Sequence, residues 1–205
     1  MKLHWSPRSP YVRKVMIAAL ETGLADRIEL VRSVAAMRKP NPAIMRDNPL
    51  SKIPTLVLDD GGTLFDSIVI CEYLDGLHAG TPLFPASGPQ RWEALRWHAL
   101  GDGLLDALIL WRNERDREPG QRLQDLMQAF ELKTRAALEL LEQEVQALEK
   151  GGFGIGQIAI VCALGYLDFR FADLGWRSGH PQTAAWFGRQ SQRPSVQNTA
   201  PVDDQ

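Results

Sequence analysis

The stretch NPLSKIPTLVLDDGGTLFDS, residues 48–67, sets Ile53 and Pro54 directly before TLVLDD, which has the composition of a buried strand. Proline lacks the N–H that a ladder needs, so strands tolerate it at their first residue, at a bulge or on an edge. X-Pro bonds also reach the cis form at appreciable frequency, and a cis bond here would turn the chain sharply. Such a turn would aim the backbone of Ile53 outward as an unpaired donor and acceptor. Downstream, PTLVLDD and GTLFD face each other across Asp60-Gly61-Gly62, which predicts a hairpin. Ser67 is then expected to cap a helix over IVICEYLDGLH.

Upstream, MKLHW predicts a short strand over residues 1–5, and SPRSP breaks it. Val12, Val15, Met16, Ala19 and Leu20 recur at helical spacing, with Ser9 as N-cap, Pro10 at the first helical position and Gly23 at the stop. IELVRSV (28–34) predicts a second strand, and residues 36–52 are irregular. The order is β-α-β, an irregular segment, then β-β-α. AGTPLFPASGPQ (79–90) is a punctuated linker, and beyond it the pattern is helical throughout. Trp92, Leu95, Ala99, Leu104, Leu108 and Trp111 line one predicted helix, and a long apolar stripe from Leu123 to Leu148 marks a second. IAIVCALGYLDF (158–169) is apolar nearly all round, as befits a central helix, and a last helix is expected over about 181–192. The tail RPSVQNTAPVDDQ is polar and expected to be loosely ordered.

A chain of 205 residues with 44% hydrophobic content can bury a real core in one or two domains. A net charge of -2 with the signs interspersed gives no basic face, so nucleic acid is not the implied partner. No stretch is apolar long enough to span a bilayer, and the start MKLHWSPRSP lacks a signal peptide's apolar run, so the expected setting is the cytoplasm. Cys71 and Cys162 sit in apolar helical contexts with no partner at ligand spacing and are expected in the core. His4, His78, His98 and His180 share no spacing that suggests a metal or a triad.

The strand order, with proline before the third strand, has the outline of a thioredoxin-like domain. SPRSPYVRKV, NPLSKIPTLVLDDGGTLFDS, the PLFP of the linker and the terminal RPSVQNTAP together resemble the cytosolic glutathione transferase family, in order and across the whole chain. The chain looks like the bacterial branch whose N-terminal motif reads S-P-F/Y-V-R-K. This resemblance implies a thioredoxin-like α/β domain over residues 1–77, a linker over 78–88 and an all-helical domain over 89–205. It also implies a homodimer that uses glutathione, without a metal, and conjugates it to a small apolar electrophile.

The resemblance further assigns roles. The backbone of Ile53, before a cis Pro54, pairs with the cysteinyl main chain of glutathione by β-augmentation. Asp66 and Ser67 take the ammonium and carboxylate of the γ-glutamyl group. Ser51 or Lys52 contacts the glycyl carboxylate. Ser9, where cysteine-type relatives carry Cys, hydrogen-bonds the glutathione sulfur, with Ser6 as the competing candidate. Asp102 falls where some relatives reach across a dimer, and Trp97 or Trp111 could wall an electrophile pocket. A non-catalytic glutathione-binding or regulatory protein is the alternative, and an isomerase or dehalogenase using the same thiolate is another. One departure from the family is Gly154 and Gln157 where a Ser/Thr-x-x-Asp capping box usually opens the central helix.

Overall fold

The structure is a computed structural model that describes residues 1–204 and divides into two compact units. The first holds a four-stranded sheet of β1 (Lys2–Trp5), β2 (Glu29–Arg32), β3 (Thr55–Val57) and β4 (Thr63–Leu64) in the order β2-β1-β3-β4. β1 and β2 are parallel, while β3 runs antiparallel to β1 and to β4. Helices α1 (Pro10–Glu21) and α3 (Ser67–Asp75) pack together, and Leu3, Val15, Ile17, Leu56, Ile70 and Leu74 close the core. This is the thioredoxin-like arrangement that the strand order predicts.

Ser9 caps α1 by accepting from the Val12 N–H at 3.3 Å, and Gly23 follows the helix with φ 70°, where L side chains are disfavoured. β2 is shorter than the predicted 28–34 and lies at the sheet edge, where Leu30 is exposed. Within the segment read as irregular, Asn41 caps a single helical turn, α2 (Pro42–Met45), by accepting from the Ala43 N–H at 2.9 Å. The cap of α3 also differs from expectation. Asp66 occupies the N-cap and accepts from the Ile68 N–H at 3.2 Å, which moves Ser67 to the first helical position.

Two stretches assigned elsewhere belong to the first unit, which runs through Ala86 and resumes at Pro194. In the linker, the Asp75 carboxylate accepts from the Leu83 and Phe84 N–H groups at 2.7 and 3.0 Å, and both side chains are buried. The tail is not loose. Its short helix α8 (Pro194–Gln197) packs on α1, burying Ser195 and Val196, and the buried Arg13 guanidinium donates to the Val196 carbonyl at 3.2 Å. A polar composition hid this docking because it runs through backbone carbonyls and ion pairs.

The second unit, Ser87–Arg193, consists of α4 (Gly88–Arg115), α5 (Gln124–Lys150), α6 (Ile155–Arg170) and α7 (Pro181–Gln190) with intervening turns. Every residue of α6 from Ile155 to Leu167 is buried, as its all-round apolarity predicts. α4 presents a different face from the one expected in its first half: Trp92 is 71% exposed, while Trp97, Gly101, Leu104, Leu108 and Trp111 are buried. Glycine sets this register. A Cβ on Gly101 would fall 2.7 Å from the Ala159 backbone, and one on Gly156 would fall 2.7 Å from the Trp97 Cβ, so α4 and α6 meet through small residues that a count of apolar side chains ignores. At the start of α6, Gly154 is the N-cap and Gln157 accepts from its N–H at 3.2 Å, preserving half of a capping box.

Candidate functional site

Sheet register brings the predicted residues of the first unit to one end. His4 pairs with Thr55 and Leu56 with Leu64, so continuing those ladders puts Ile53 level with Ser6, and Asp66 level with Pro54. The Ser6–Ser9 loop leaves β1 at that end, Ile53-Pro54 enters β3 there, and Asp66-Ser67 leaves β4 there. α1 and α3 both begin at the same place, so two helix N-termini, favourable for anions, flank the sheet end.

The Ile53-Pro54 bond is cis. Asn48, almost fully buried, braces the turn before it: its Nδ2 donates to Thr55 Oγ1 at 2.9 Å and to the Lys52 carbonyl at 3.3 Å, while its Oδ1 accepts from the Leu50 N–H at 3.0 Å. Thr55 Oγ1 in turn donates to the Lys52 carbonyl at 2.9 Å. The Ile53 N–H and carbonyl take no partner among the described residues, so the main chain there offers one donor and one acceptor.

Ser51 adopts φ 53°, unusual for a residue with a Cβ, and its hydroxyl accepts from the Asn41 N–H at 2.8 Å, tying the loop to the start of α2. Lys52 beside it is exposed. Ser9 is half-buried and Ser6 is buried, with Ser6 Oγ accepting from the Arg8 N–H at 3.4 Å. Because Ser9 Oγ accepts from the Val12 N–H, its own proton points elsewhere and remains available to an acceptor.

Asp66 is exposed, with one oxygen engaged in capping α3. Ser67 is only 2% exposed, and its Oγ accepts from Lys14 Nζ at 2.9 Å. Lys14 is fully buried and stacks its ammonium 5.5 Å from the Tyr11 ring centroid. Lys14 has no role assigned from the sequence; its signal there is a lysine set between the apolar positions Val12 and Val15 of α1. Asn48, in the quoted stretch, was likewise unassigned.

The remaining candidates lie in the second unit. Trp97 and Trp111 are buried core residues, Trp111 lying 4.9 Å from the Phe171 ring, so neither offers a free wall. Asp102 is half-buried with its carboxylate 3.3 Å from His98 Nε2. A cavity of about 260 Å³ there is lined by Asp168, Ala172, Gly175, Trp176 and Arg177, none of them a predicted site residue. Cys71 and Cys162 are buried. Among the described residues, no group of three His, Cys, Asp or Glu side chains could hold a metal, and no single helix is long and apolar enough to cross a membrane.

Residues 8–77 match the family described as "Glutathione S-transferase, N-terminal domain", and residues 124–189 match "Glutathione S-transferase, C-terminal domain". A crystal structure of a glutathione transferase family member from Pseudomonas fluorescens Pf-5, with bound glutathione, is similar at TM-score 0.96 and 46% identity, over 98% of this chain and 99% of that one. A glutathione S-transferase from Methylobacillus flagellatus KT with glutathione bound is similar at TM-score 0.88 and 33% identity, over 98% and 99% of the two chains. Among curated sequences, the uncharacterised GST-like protein YibF of Escherichia coli K12 is 30% identical over 203 residues, covering 98% of each chain.

Proposed function

The chain belongs to the glutathione S-transferase family, and from that premise we propose that it binds glutathione in its first unit and conjugates the thiolate to a small apolar electrophile. The supporting observation is the convergence of Ser9, Ile53-Pro54 and Asp66-Ser67 on one sheet end. Ile53 pairs with the cysteinyl main chain, Asp66 receives the γ-glutamyl ammonium, Ser67 donates to the adjacent carboxylate and Lys52 faces the glycyl carboxylate. Ser9 donates to the sulfur, and the N-terminus of α1 favours the anion over the thiol. An unassisted thiol, with a pKa of about 8.5, is mostly protonated at neutral pH, so stabilising the thiolate is the catalytic step this unit supplies. The same proposal includes a homodimer in the cytoplasm.

Calorimetry with glutathione, followed by turnover on a panel of small electrophiles, tests it. Binding that Asp66→Ala or Ser67→Ala weakens by roughly 1–3 kcal/mol is expected, the scale for a hydrogen bond to a charged group. Binding without turnover on any electrophile would leave the regulatory alternative, and no heat at millimolar glutathione would remove both.

A further inference from the structure

Lys14 offers a role that the family resemblance did not assign. An ammonium carries three donors and no acceptor, so in the Lys14 Nζ to Ser67 Oγ contact of 2.9 Å the serine oxygen must accept. The single hydroxyl proton of Ser67 is thereby turned away from Lys14. It has no acceptor among the described residues, although the residue is buried. A buried hydroxyl proton without an acceptor is costly, and it points to a partner that is itself an acceptor.

We propose that Lys14 is a positioning residue that fixes Ser67 as an obligate donor and so makes the start of α3 selective for a carboxylate. The inference rests on the proposed glutathione site and deepens it, since the acceptor is then the α-carboxylate of the γ-glutamyl group. The chain of donation runs from the ammonium to the hydroxyl to the carboxylate. The buried ammonium polarises the Ser67 hydroxyl to which it donates, so the effect reaches the ligand through that hydroxyl. A neutral acceptor, such as an amide carbonyl, would satisfy the hydroxyl geometrically but form a weaker hydrogen bond with it than a carboxylate does. Asp66, with its capping carboxylate exposed beside the same helix start, takes the ammonium of the same amino-acid head. Two opposite charges on one α-carbon of the ligand thus meet two differently prepared groups on adjacent residues of the chain.

The test compares Lys14→Met, Ser67→Ala and the double variant by calorimetry with glutathione. A second ligand is an analogue in which hydrogen replaces the γ-glutamyl α-carboxylate. Methionine matches lysine in length without the charge and suits a fully buried position. Lys14→Met should weaken glutathione binding about ten- to a hundredfold. In the Ser67→Ala background it should cost little more, because its effect passes through that hydroxyl.

The analogue should bind the unmutated protein weakly, and Lys14→Met should not weaken it further. Unchanged glutathione affinity in Lys14→Met, or additive losses in the double variant, would overturn the role of Lys14 while leaving the glutathione site standing. An analogue that binds the unmutated protein as well as glutathione does would overturn it without recourse to any variant. Failure of the unmutated protein to bind glutathione at all would overturn the site itself.

Discussion

Each serine at the sheet end has one proton to give, and its surroundings decide where that proton goes. At Ser9 the helix cap supplies the incoming hydrogen bond from Val12, so the hydroxyl both closes α1 and donates outward. Substitution by alanine removes both functions, which have different signatures. Loss of a cap costs about 1 kcal/mol of stability, whereas loss of a donor to the thiolate raises the pKa of bound glutathione without removing it. Each pKa unit corresponds to about 1.4 kcal/mol of preference for one protonation state. The thiolate absorbance of bound glutathione should therefore titrate well below that of the free thiol, and Ser9→Ala should move the titration upward while affinity stays nearly intact. Ser6→Ala is the control, because Ser6 Oγ accepts from Arg8 in a buried setting. A larger shift there would transfer the role to Ser6.

The elements that carry these side chains are short, and the loop before α1 has support that the local sequence does not reveal. The Val202 N–H donates to the Pro7 carbonyl at 3.4 Å, and Asp204 bridges Arg32 at 2.5 Å and Arg8 at 3.0 Å, so the tail straps the Ser6–Ser9 loop to the edge strand. The hydrogen bond from Arg32, reinforced by the charges of Arg32 and Arg8, holds the Asp204 carboxyl below the usual aspartate range despite some desolvation. A pKa lowered by folding means that the contribution is complete above the unfolded value, near pH 4, and is lost as pH falls through the lower folded value. Asp204→Asn at neutral pH should reproduce the effect of acid, speeding amide exchange at Arg8 and Ser9 while Asp204→Glu preserves protection. Salt should weaken the strap too, since Arg8, Arg32 and Asp204 each keep part of their side chain in solvent. Equal exchange in Asp204→Asn and the unmutated protein would show that the tail leaves the loop unsupported. The sequence made α1 and its cap legible because Ser9, Pro10 and Gly23 act locally. It hid this strap because Arg8, Arg32 and Asp204 meet only through the folded chain.

At the scale of the whole molecule, the same division between local and long-range signals recurs. Ile53-Pro54, the hairpin and the all-apolar α6 were readable because proline, glycine and periodicity act within a few residues. The face of α4 departs from the expected one at Trp92 because Gly101 and Gly156, which set the approach to α6, carry no hydrophobic signal. Of the large apolar residues along α4, Trp97 and Leu105 are consumed in the core, Leu100 is half-buried and Trp92 stays exposed. Sedimentation should still give about twice the chain mass of 22.9 kDa if the homodimer is correct, and a single chain at micromolar concentration would contradict it.

Ligand linkage offers the last test, because a ligand that binds only the folded state stabilises it by an amount fixed by concentration and affinity. At a hundred times its dissociation constant, glutathione should add about 2.7 kcal/mol to the stability of the state that binds it. The melting midpoint should therefore climb steadily with glutathione concentration, and should climb later in Ser67→Ala, whose dissociation constant is larger. Oxidised glutathione is a useful comparison, since it presents the same γ-glutamyl head without a free thiol. A similar climb with the oxidised form in both Ser9→Ala and the unmutated protein would assign the stabilisation to the Asp66-Ser67 end and leave the sulfur to Ser9. A midpoint that does not move with either form up to millimolar concentration would mean that the convergence at the sheet end is architectural, with no glutathione site built on it.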